Sequence, residues 1–278
     1  MKKIMLFVAA LGIALSAAAQ TLNINQGSVT YAVPAAITGD AVLSAGSLTI
    51  GQKTYDVASI SSIVVDDTEV SDNSVKVKYD GNTAHVLIAG NIAHLVSATV
   101  NGAHVALVQD KAVAEEITYT LSGTSEDGSF YMDGSYKCCI ELKGLNLHNP
   151  DSAAININDG KRVNISLKKS TENFLSDGLR GEDDGSNAHK ACVYVKGHPE
   201  FSGSGSVVIN GNVKHGICSN EYCQVKASVG SITVNSKGDG FHVCQYYQQD
   251  GGVVVVNASG DGIDSGIKEG ETEGGNIV

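Results

Sequence analysis

The chain has 278 residues, of which 30 are acidic and 19 basic, so its formal net charge at pH 7 is −11. Such a surface repels the phosphate backbone, so we expect divalent cations and neutral surfaces rather than nucleic acid as partners. Glycine is frequent, at 32 residues, whereas proline is rare, at 3, and tryptophan is absent. This composition, with its many β-branched residues, predicts short strands joined by tight turns.

Residues 1–19 have the features of a secretory signal peptide. Lys2 and Lys3 precede an apolar run that is too short to span a bilayer, and Ala17-Ala18-Ala19 provides a cleavage site. Cleavage after Ala19 would leave a mature chain of charge −11 − 2 = −13. We therefore expect an exported protein, secreted, periplasmic or on the cell surface, with no transmembrane segment.

Residues 20–115 are predicted to form a small N-terminal β domain that acts as a spacer or docking unit. Alternating strand patterns flank Asp80-Gly81 and again Asn101-Gly102, and both dipeptides are typical of β-hairpin turns. The polar stretch Lys111–Glu116 marks the predicted boundary. A second domain then follows over residues 116–278.

Six cysteines lie in the mature chain, and six cysteines allow 15 pairings that sequence cannot rank. The alternative to disulfides is that several are small buried apolar side chains. Cys218 and Cys223 lack the short paired spacing of structural zinc sites, which argues against a zinc centre built on them. The six are Cys138, Cys139, Cys192, Cys218, Cys223 and Cys244.

One short phrase recurs in the last third of the chain. It begins at Asn210, Asn235 and Asn257, follows a β-branched run each time, and ends on Gly216, Gly240 or Gly262. These glycines are 240 − 216 = 24 and 262 − 240 = 22 residues apart. Periods of this length indicate a repeat array.

When the three repeats are aligned on these asparagines, the strand before each asparagine has apolar residues at every second position in all three copies. This pattern is typical of a strand with one buried face. Two or three strands per repeat are too few for a propeller blade of ~40 residues but fit one coil of a right-handed parallel β-helix, or solenoid. We expect an asparagine ladder between coils and positive φ at the repeated glycines. A third strand is predicted to align three further residues, Val195, Val225 and Tyr247.

Several segments between Ile117 and Val278 resemble an exported bacterial β-helical carbohydrate-binding family. Its members are similar in shape to polysaccharide lyases and are associated with calcium. The segments that carry the resemblance are Tyr119–Thr124 with Asp127-Gly128, Thr171–Gly178, Gly203–Ile209 and the Gly-Asp-Gly-Ile turn at 260–263. The resemblance implies a parallel β-helix over this region that binds polysaccharide without catalysis. It does not cover residues 20–115, so we expect an all-β protein in which the small N-terminal β domain precedes the β-helix.

Aspartates in the repeated turns are candidate calcium ligands. Asp239 and Asp261 share a column, Asp264 follows closely, and Asp177 is predicted to be equivalent in an earlier coil. Stacked carboxylates repel unless a cation bridges them, and calcium binds six to eight oxygens. The acidic cluster at 182–184 is a second possible site. In the alternative interpretation these aspartates bond only to backbone amides.

Tyrosines offer a candidate sugar-binding surface. Tyr194 and Tyr246 are predicted to share a column, with Tyr222 and Tyr247 beside it. Aromatic faces can pack on sugars while the hydroxyls form hydrogen bonds. An ordinary internal aromatic stack is the alternative.

Catalysis has weaker support in the sequence. The adjacent acidic pair Asp183-Asp184 and the nearby His198 are the candidates for a hydrolase. Arg180 and Lys190 are the candidate bases for a lyase. None of these residues occurs at a spacing that is typical of a catalytic site. We therefore expect a calcium-dependent polysaccharide-binding protein that favours acidic or plant-type glycans. The alternatives are an adhesive or structural surface solenoid and a polysaccharide lyase.

The C-terminal residues predict that the array continues. Glu273–Val278 matches Asp250–Val255 with a shift of 23 residues, so the chain stops inside a strand of the next coil. Because solenoids need capped ends, we expect a longer β-helix that is truncated here.

Overall fold

The computed structural model describes residues 20–179, 185–267, 270–272 and 274–278. The predicted signal peptide, Arg180, the acidic cluster at 182–184 and Glu273 lie outside these residues. The structure is almost entirely β, with one short helix, α1, at Ala35–Thr38. Within the described ranges, no helix is long and apolar enough to cross a membrane.

The first ten strands pair mainly with neighbours in the chain. Both predicted hairpins are confirmed, with Asp80 opposite Thr83 in one and Asn101 opposite His104 in the other. Gly81 and Gly102 both have φ of 60°, a value that glycine adopts without steric cost. The strands are β1 (Thr21–Gln26), β2 (Val29–Pro34), β3 (Ala41–Ser44), β4 (Ser47–Ile50), β5 (Lys53–Asp56), β6 (Ser62–Asp66), β7 (Ser74–Asp80), β8 (Thr83–Ala89), β9 (Val96–Asn101) and β10 (Ala103–Gln109).

The remaining strands pair in parallel with strands of the preceding and following repeats of the chain, and we call one such repeat a coil. They are β11 (Ile117–Ser125), β12 (Gly128–Asp133), β13 (Cys138–Asn149), β14 (Ile155–Asn158), β15 (Arg162–Leu167), β16 (Glu172–Asp177), β17 (Ala191–Val195), β18 (His198–Ser202), β19 (Ser206–Gly211), β20 (His215–Ser219), β21 (Cys223–Val225), β22 (Ser231–Ser236), β23 (Phe241–Cys244), β24 (Tyr246–Gln249), β25 (Val253–Ala258), β26 (Ile263–Gly266) and β27 (Asn276–Ile277).

These strands form three parallel ladders, named here in the order in which a coil visits them. The first ladder contains β11, β13, β15, β18, β21, β24 and β27, and the second contains β13, β16, β19, β22 and β25. The third ladder contains β12, β14, β17, β20, β23 and β26. The long strand β13 contributes to two ladders because its two halves pair with different partners.

Two ladders extend across the predicted domain boundary. Strand β11 pairs in parallel with β7, and β12 pairs in parallel with β10. One cluster of buried apolar side chains also extends from Ile24 to Tyr247. The hairpins therefore share sheets and a core with the coils, while the division at residue 115 stays a prediction.

The asparagine register is confirmed. Asn210 pairs with Asn235 and Asn235 with Asn257 in the second ladder. Asn235 Nδ2 donates to Asn210 Oδ1 at 2.8 Å, and Asn257 Nδ2 donates to Asn235 Oδ1 at 2.9 Å. Each amide thus satisfies its neighbour, so identical residues are favoured in this column.

The predicted third-strand column is wrong. Val195 ends β17 and pairs with Ser219, whereas Val225 pairs with Phe201. Tyr247 pairs with Cys223. Val195 therefore belongs to the third ladder, and the other two residues belong to the first ladder beyond the corner of the coil.

The expected positive φ at the repeated glycines is also wrong, since the left-handed glycines are at other positions. Gly216 and Gly240 are needed for space instead. A Cβ on Gly216 would overlap Val234 Cγ1 and lie 2.8 Å from the carbonyl oxygen of Gly240. A Cβ on Gly240 would overlap Val256 in the same way. Close approach of successive coils therefore explains the repeat.

No disulfide joins the six cysteines, and four of the six are buried. Burial raises the pKa of Cys192 well above its ordinary value and raises that of Cys218 to about 11. These thiols stay protonated and behave as small apolar side chains.

Candidate functional site

A column of stacked rings lies on the outer side of the first ladder. His198 begins β18, Tyr222 immediately precedes β21 and Tyr246 begins β24, and we call these three equivalent residues the aromatic column. The ring centroids of His198 and Tyr222 are 4.4 Å apart, and those of Tyr222 and Tyr246 are 4.7 Å apart with an interplanar angle of 4°. Arg162 pairs with His198 one coil earlier and extends the column.

Glu200 connects the aromatic column to two cations. The Tyr222 hydroxyl donates to Glu200 Oε1 at 2.9 Å, and Lys226 Nζ lies 2.5 Å from Glu200 Oε2. Arg162 Nη1 is 3.8 Å from the same oxygen. Burial alone would raise the pKa of Glu200, but hydrogen bonds from Lys226 and Tyr222 lower it below its ordinary value. The carboxylate is thus charged and fixed in orientation.

Two of the four predicted sugar-binding tyrosines lie elsewhere. Tyr194 is on the third ladder, where it pairs with Cys218, and its side chain is fully buried. Tyr247 points into the core and packs edge-on against Phe241 at 5.1 Å. The predicted Tyr194–Tyr246 column is therefore wrong, because the two residues lie on opposite sides of a corner. Tyr222 and Tyr246 do lie together, as predicted.

The stacking decides which parts of the aromatic column a ligand can touch. Each ring face inside the column is covered by its neighbour at normal stacking distance. Side chains of the column are half-buried, so the ring edges and polar atoms are what face solvent. The arrangement is suited to hydrogen bonding along a row of hydroxyl groups more than to stacking on a sugar face.

A cavity of about 510 Å³ adjoins the same ladder nearer the N-terminus. Its lining is polar and comes from β7, β11 and β13 and from the segment just before β7. Thr120 lies in register between Lys76 and Glu141 at its centre. The full lining is Ser71, Asp72, Ser74, Lys76, Thr118, Thr120, Ser122, Glu141 and Lys143.

A second cluster of functional groups lies on the third ladder. We call His215, Asp239, His242 and Asp264 the histidine cluster. Asp239 Oδ2 is 3.2 Å from His215 Nδ1 and 2.9 Å from His242 Nδ1. Asp264 Oδ2 lies 2.8 Å from His242 Nδ1. The two imidazole rings stack with centroids 4.3 Å apart and an interplanar angle of 16°.

The hydrogen bonds of this cluster run from coil to coil. His215 Nδ1 accepts the amide of Asp239 at 3.0 Å, and Asp239 Oδ1 accepts the amide of Asp261 at 2.9 Å. Burial, followed by the proximity of His242, lowers the pKa of His215 to about 4. The His215 ring is therefore neutral at pH 7 and can act as an acceptor.

The predicted calcium ligands are only partly brought together. Asp239 and Asp264 both contact His242, and Asp261 follows Asp239 one coil later. Asp177 is not equivalent to them, because it ends β16 opposite Asn149. It is buried, and its Oδ1 accepts the amide of Asn212 at 2.5 Å. Burial raises its pKa to about 6.

Sequence reasoning missed the histidines as partners of the aspartates. His215 occupies the same turn position as Asp239 and Asp261, with an imidazole in place of the carboxylate. His242 is three residues beyond Asp239, and its repeat equivalents are Cys218 and Asp264. A search for any metal-binding side chain in two adjacent columns would have found the cluster.

The chain was compared with known proteins. A family model described as "Carbohydrate-binding domain-containing protein" matches residues 109–278. A protein of that same description from Acetivibrio thermocellus is 32% identical over 122 residues, which cover 42% of this chain and 42% of the relative. The chain thus matches about two fifths of that relative's length.

A solved structure is also similar. It is described as the polysaccharide lyase-like protein from C. thermocellum, in a gadolinium derivative. It matches with a TM-score of 0.62 and 26% identity, over 73% of this chain and 79% of that one.

Proposed function

Because the chain belongs to the family of carbohydrate-binding domain-containing proteins, we propose that it is a secreted or cell-surface protein that binds polysaccharide without catalysis. The main support for this proposal is the aromatic column on the outer side of the first ladder, together with the charged residues beside it, Arg162, Glu200 and Lys226. Three side chains there present polar atoms in a row, at the spacing of successive strands. A linear polysaccharide, which carries hydroxyl groups along its length, matches such a row.

We also infer that the three ladders are the sides of a right-handed parallel β-helix. Each late coil contributes one strand to each ladder, as β18, β19 and β20 do, and pairing between coils is parallel. The asparagine column gives a repeated bond between successive coils. A β-helix leaves one flat side free for an extended ligand.

The chemistry of the proposed sugar site follows from its hydrogen bonds. Glu200 is an acceptor, Arg162 and Lys226 are donors, and the tyrosine hydroxyls are both. Sugar hydroxyl groups need this mixture, since each is both donor and acceptor. Glu200 already holds Tyr222 and Lys226 in place, so little side-chain entropy is lost on binding.

Binding to insoluble polysaccharides tests this site directly. We expect Tyr246→Ala to weaken binding by roughly tenfold or more, as removal of a central aromatic contact commonly does. Tyr246→Phe should weaken it nearly as much, because this variant keeps the ring but loses the hydroxyl group that makes the proposed hydrogen bond. Tyr131→Ala is the matched control, since Tyr131 is a half-buried tyrosine on β12 in the third ladder. Unchanged binding by both Tyr246 variants would favour the structural or adhesive solenoid.

A preference for acidic or plant-type glycans is the finer part of the proposal. Arg162 and Lys226 support it because they can pair with uronate groups, although both also pair with Glu200. Matched neutral and acidic polymers, titrated at two salt concentrations, measure the preference. In the same samples, a rise in unsaturated-uronate absorbance would identify the alternative function, a polysaccharide lyase.

Calcium dependence is proposed for the turn aspartates. Three carboxylates support it, because neighbouring positions of two coils hold Asp239, Asp261 and Asp264. Calcium needs six to eight oxygens, so backbone carbonyls and water would have to provide the others. Calorimetry on chelator-treated protein tests it. Absence of calcium heat, together with polysaccharide binding that chelation leaves unchanged, would contradict it.

A further inference from the structure

Nitrogen and oxygen atoms of four side chains converge at the histidine cluster. We propose that His215, Asp239, His242 and Asp264 form a binding site for a zinc-class transition-metal dication. The site is separate from the aromatic column and does not depend on polysaccharide binding there. It shares Asp239 and Asp264 with the proposed calcium site, so it is an alternative to calcium at these two residues.

The distances between the candidate ligand atoms fit a small ion. Ligand atoms of His215, Asp239 and His242 all lie within 4.8 Å of one another. The three measured contacts between imidazole Nδ1 and carboxylate Oδ2 atoms are 3.2, 2.9 and 2.8 Å. Around a tetrahedral zinc ion with bonds of about 2.0 to 2.1 Å, neighbouring ligand atoms are roughly 3.3 Å apart. Small movements would therefore bring these three ligands around one ion, and Asp264, which contacts His242, is the candidate for the fourth position.

The donor types favour zinc, nickel or copper over calcium. Two imidazole nitrogens suit these metals, whereas calcium takes oxygen ligands. Both oxygens of Asp239 are already used, one by the Asp261 amide and one by the two imidazoles. Asp239 and Asp264 carry two negative charges, which a dication would neutralise.

The orientation of the rings defines what must change on metal binding. His215 Nδ1 accepts the Asp239 amide, so its lone pair already points into the cluster. The metal would replace that amide proton as its partner. Nearly parallel rings direct their lone pairs along parallel planes, so one ring must tilt for both nitrogens to reach one ion. His242, whose side chain is 41% exposed, is the ring with room to move.

A cavity of about 210 Å³ gives access to the cluster. His215 and His242 line it, together with Lys190 and Lys214, whose positive charges oppose a cation and limit the affinity. Cys218 and Cys244 also line the cavity, and Cys218 pairs in register with His242. Cys218 is buried as a small apolar side chain, so the imidazoles and carboxylates remain the candidate ligands.

Calorimetry with zinc, nickel and calcium chlorides tests the proposal on chelator-treated protein that carries no histidine tag. We expect one zinc site with Kd of roughly micromolar or lower, and calcium at least about tenfold weaker at this site. His242→Ala should weaken zinc binding by at least about tenfold. His85→Ala is the matched control, because His85 is an exposed histidine on β8, in the N-terminal hairpin region and outside the histidine cluster. This variant should leave zinc binding unchanged.

Two further measurements keep the result interpretable. Asp264→Asn changes a partly exposed ligand and should also weaken zinc binding, so the test remains available if His242→Ala fails to fold. Cobalt should give the intense visible bands of a four-coordinate ion in the wild type and lose them in both variants. Zinc binding that neither variant weakens, or equal affinity for calcium, would overturn the proposal. Polysaccharide binding is scored separately, so failure of one proposal leaves the other standing.

Discussion

The hairpins near the N-terminus and the stacked coils use glycine for different physical reasons. Gly81 and Gly102 have φ of 60°, and open space or a single backbone oxygen faces the missing side chain. Gly216 and Gly240 have ordinary dihedral angles, but a Cβ at either would overlap a valine of the next coil. A hairpin turn is defined by its own backbone, whereas a coil turn is defined by the coil that packs on it.

The same contrast appears in how each region fixes its register. In the hairpins, a two-residue turn sets which residues pair, and the information is local. In the coils, pairing partners are 22 to 25 residues apart in the asparagine column. Register there depends on side chains that bond only when the coils stack.

The largest effect should follow from adding one methyl group to a coil turn. Gly240→Ala should lower the free energy of unfolding by about 3 kcal/mol, because the new Cβ overlaps Val256 and lies 2.6 Å from the Gly262 carbonyl oxygen. Gly262→Ala places the same group one coil later, with no atom within 4 Å, and should cost less than about 0.5 kcal/mol. Urea unfolding measures both. Equal losses would contradict the role of coil spacing.

The coils should give the protein a pH-dependent change of about 2 kcal/mol in its free energy of unfolding. The buried acids among the described residues, Asp159, Asp177 and Glu200, all lie after residue 115. Burial raises the pKa of Asp177 to about 6, so the folded state holds this proton more tightly than the unfolded state. The resulting stabilisation is complete below about pH 4 and is lost as the pH rises through 6.

Denaturant unfolding of the wild type and Asp177→Asn between pH 4 and pH 7 measures this effect. The wild type should lose about 2 kcal/mol relative to the variant over that interval. Parallel pH profiles for the two proteins would contradict the raised pKa.

The smallest effect should be in the hairpin. Gly81→Ala should cost about 1 kcal/mol, because a residue with a Cβ is strained at φ of 60°. Gly81→Asn should cost clearly less, since asparagine tolerates this conformation. At Gly240 the order should reverse, with asparagine worse than alanine because the limit there is space. Thermal unfolding of the four variants shows whether the two regions differ as proposed.

The sequence alone determined the features that depend on local chemistry or on strict repetition. Asp80-Gly81 and Asn101-Gly102 fixed two hairpins, because turn residues limit the backbone directly. The columns of the second ladder followed from Asn210, Asn235 and Asn257, because each amide bonds to its own kind one coil away. The sequence also predicted that Tyr222 lies beside Tyr246, although it assigned Tyr246 to the column of Tyr194.

Only the tertiary structure decided what happens across corners and between columns. Tyr194 and Tyr246 fall on different ladders because the chain turns between the strands that hold them. Asp177 is buried beneath Asn212 instead of joining Asp239. His215 and His242 meet although they are 27 residues apart, because stacked coils bring adjacent columns within reach. The distance between two side chains in neighbouring coils depends on how the coils pack, and residue spacing in the sequence does not specify that packing.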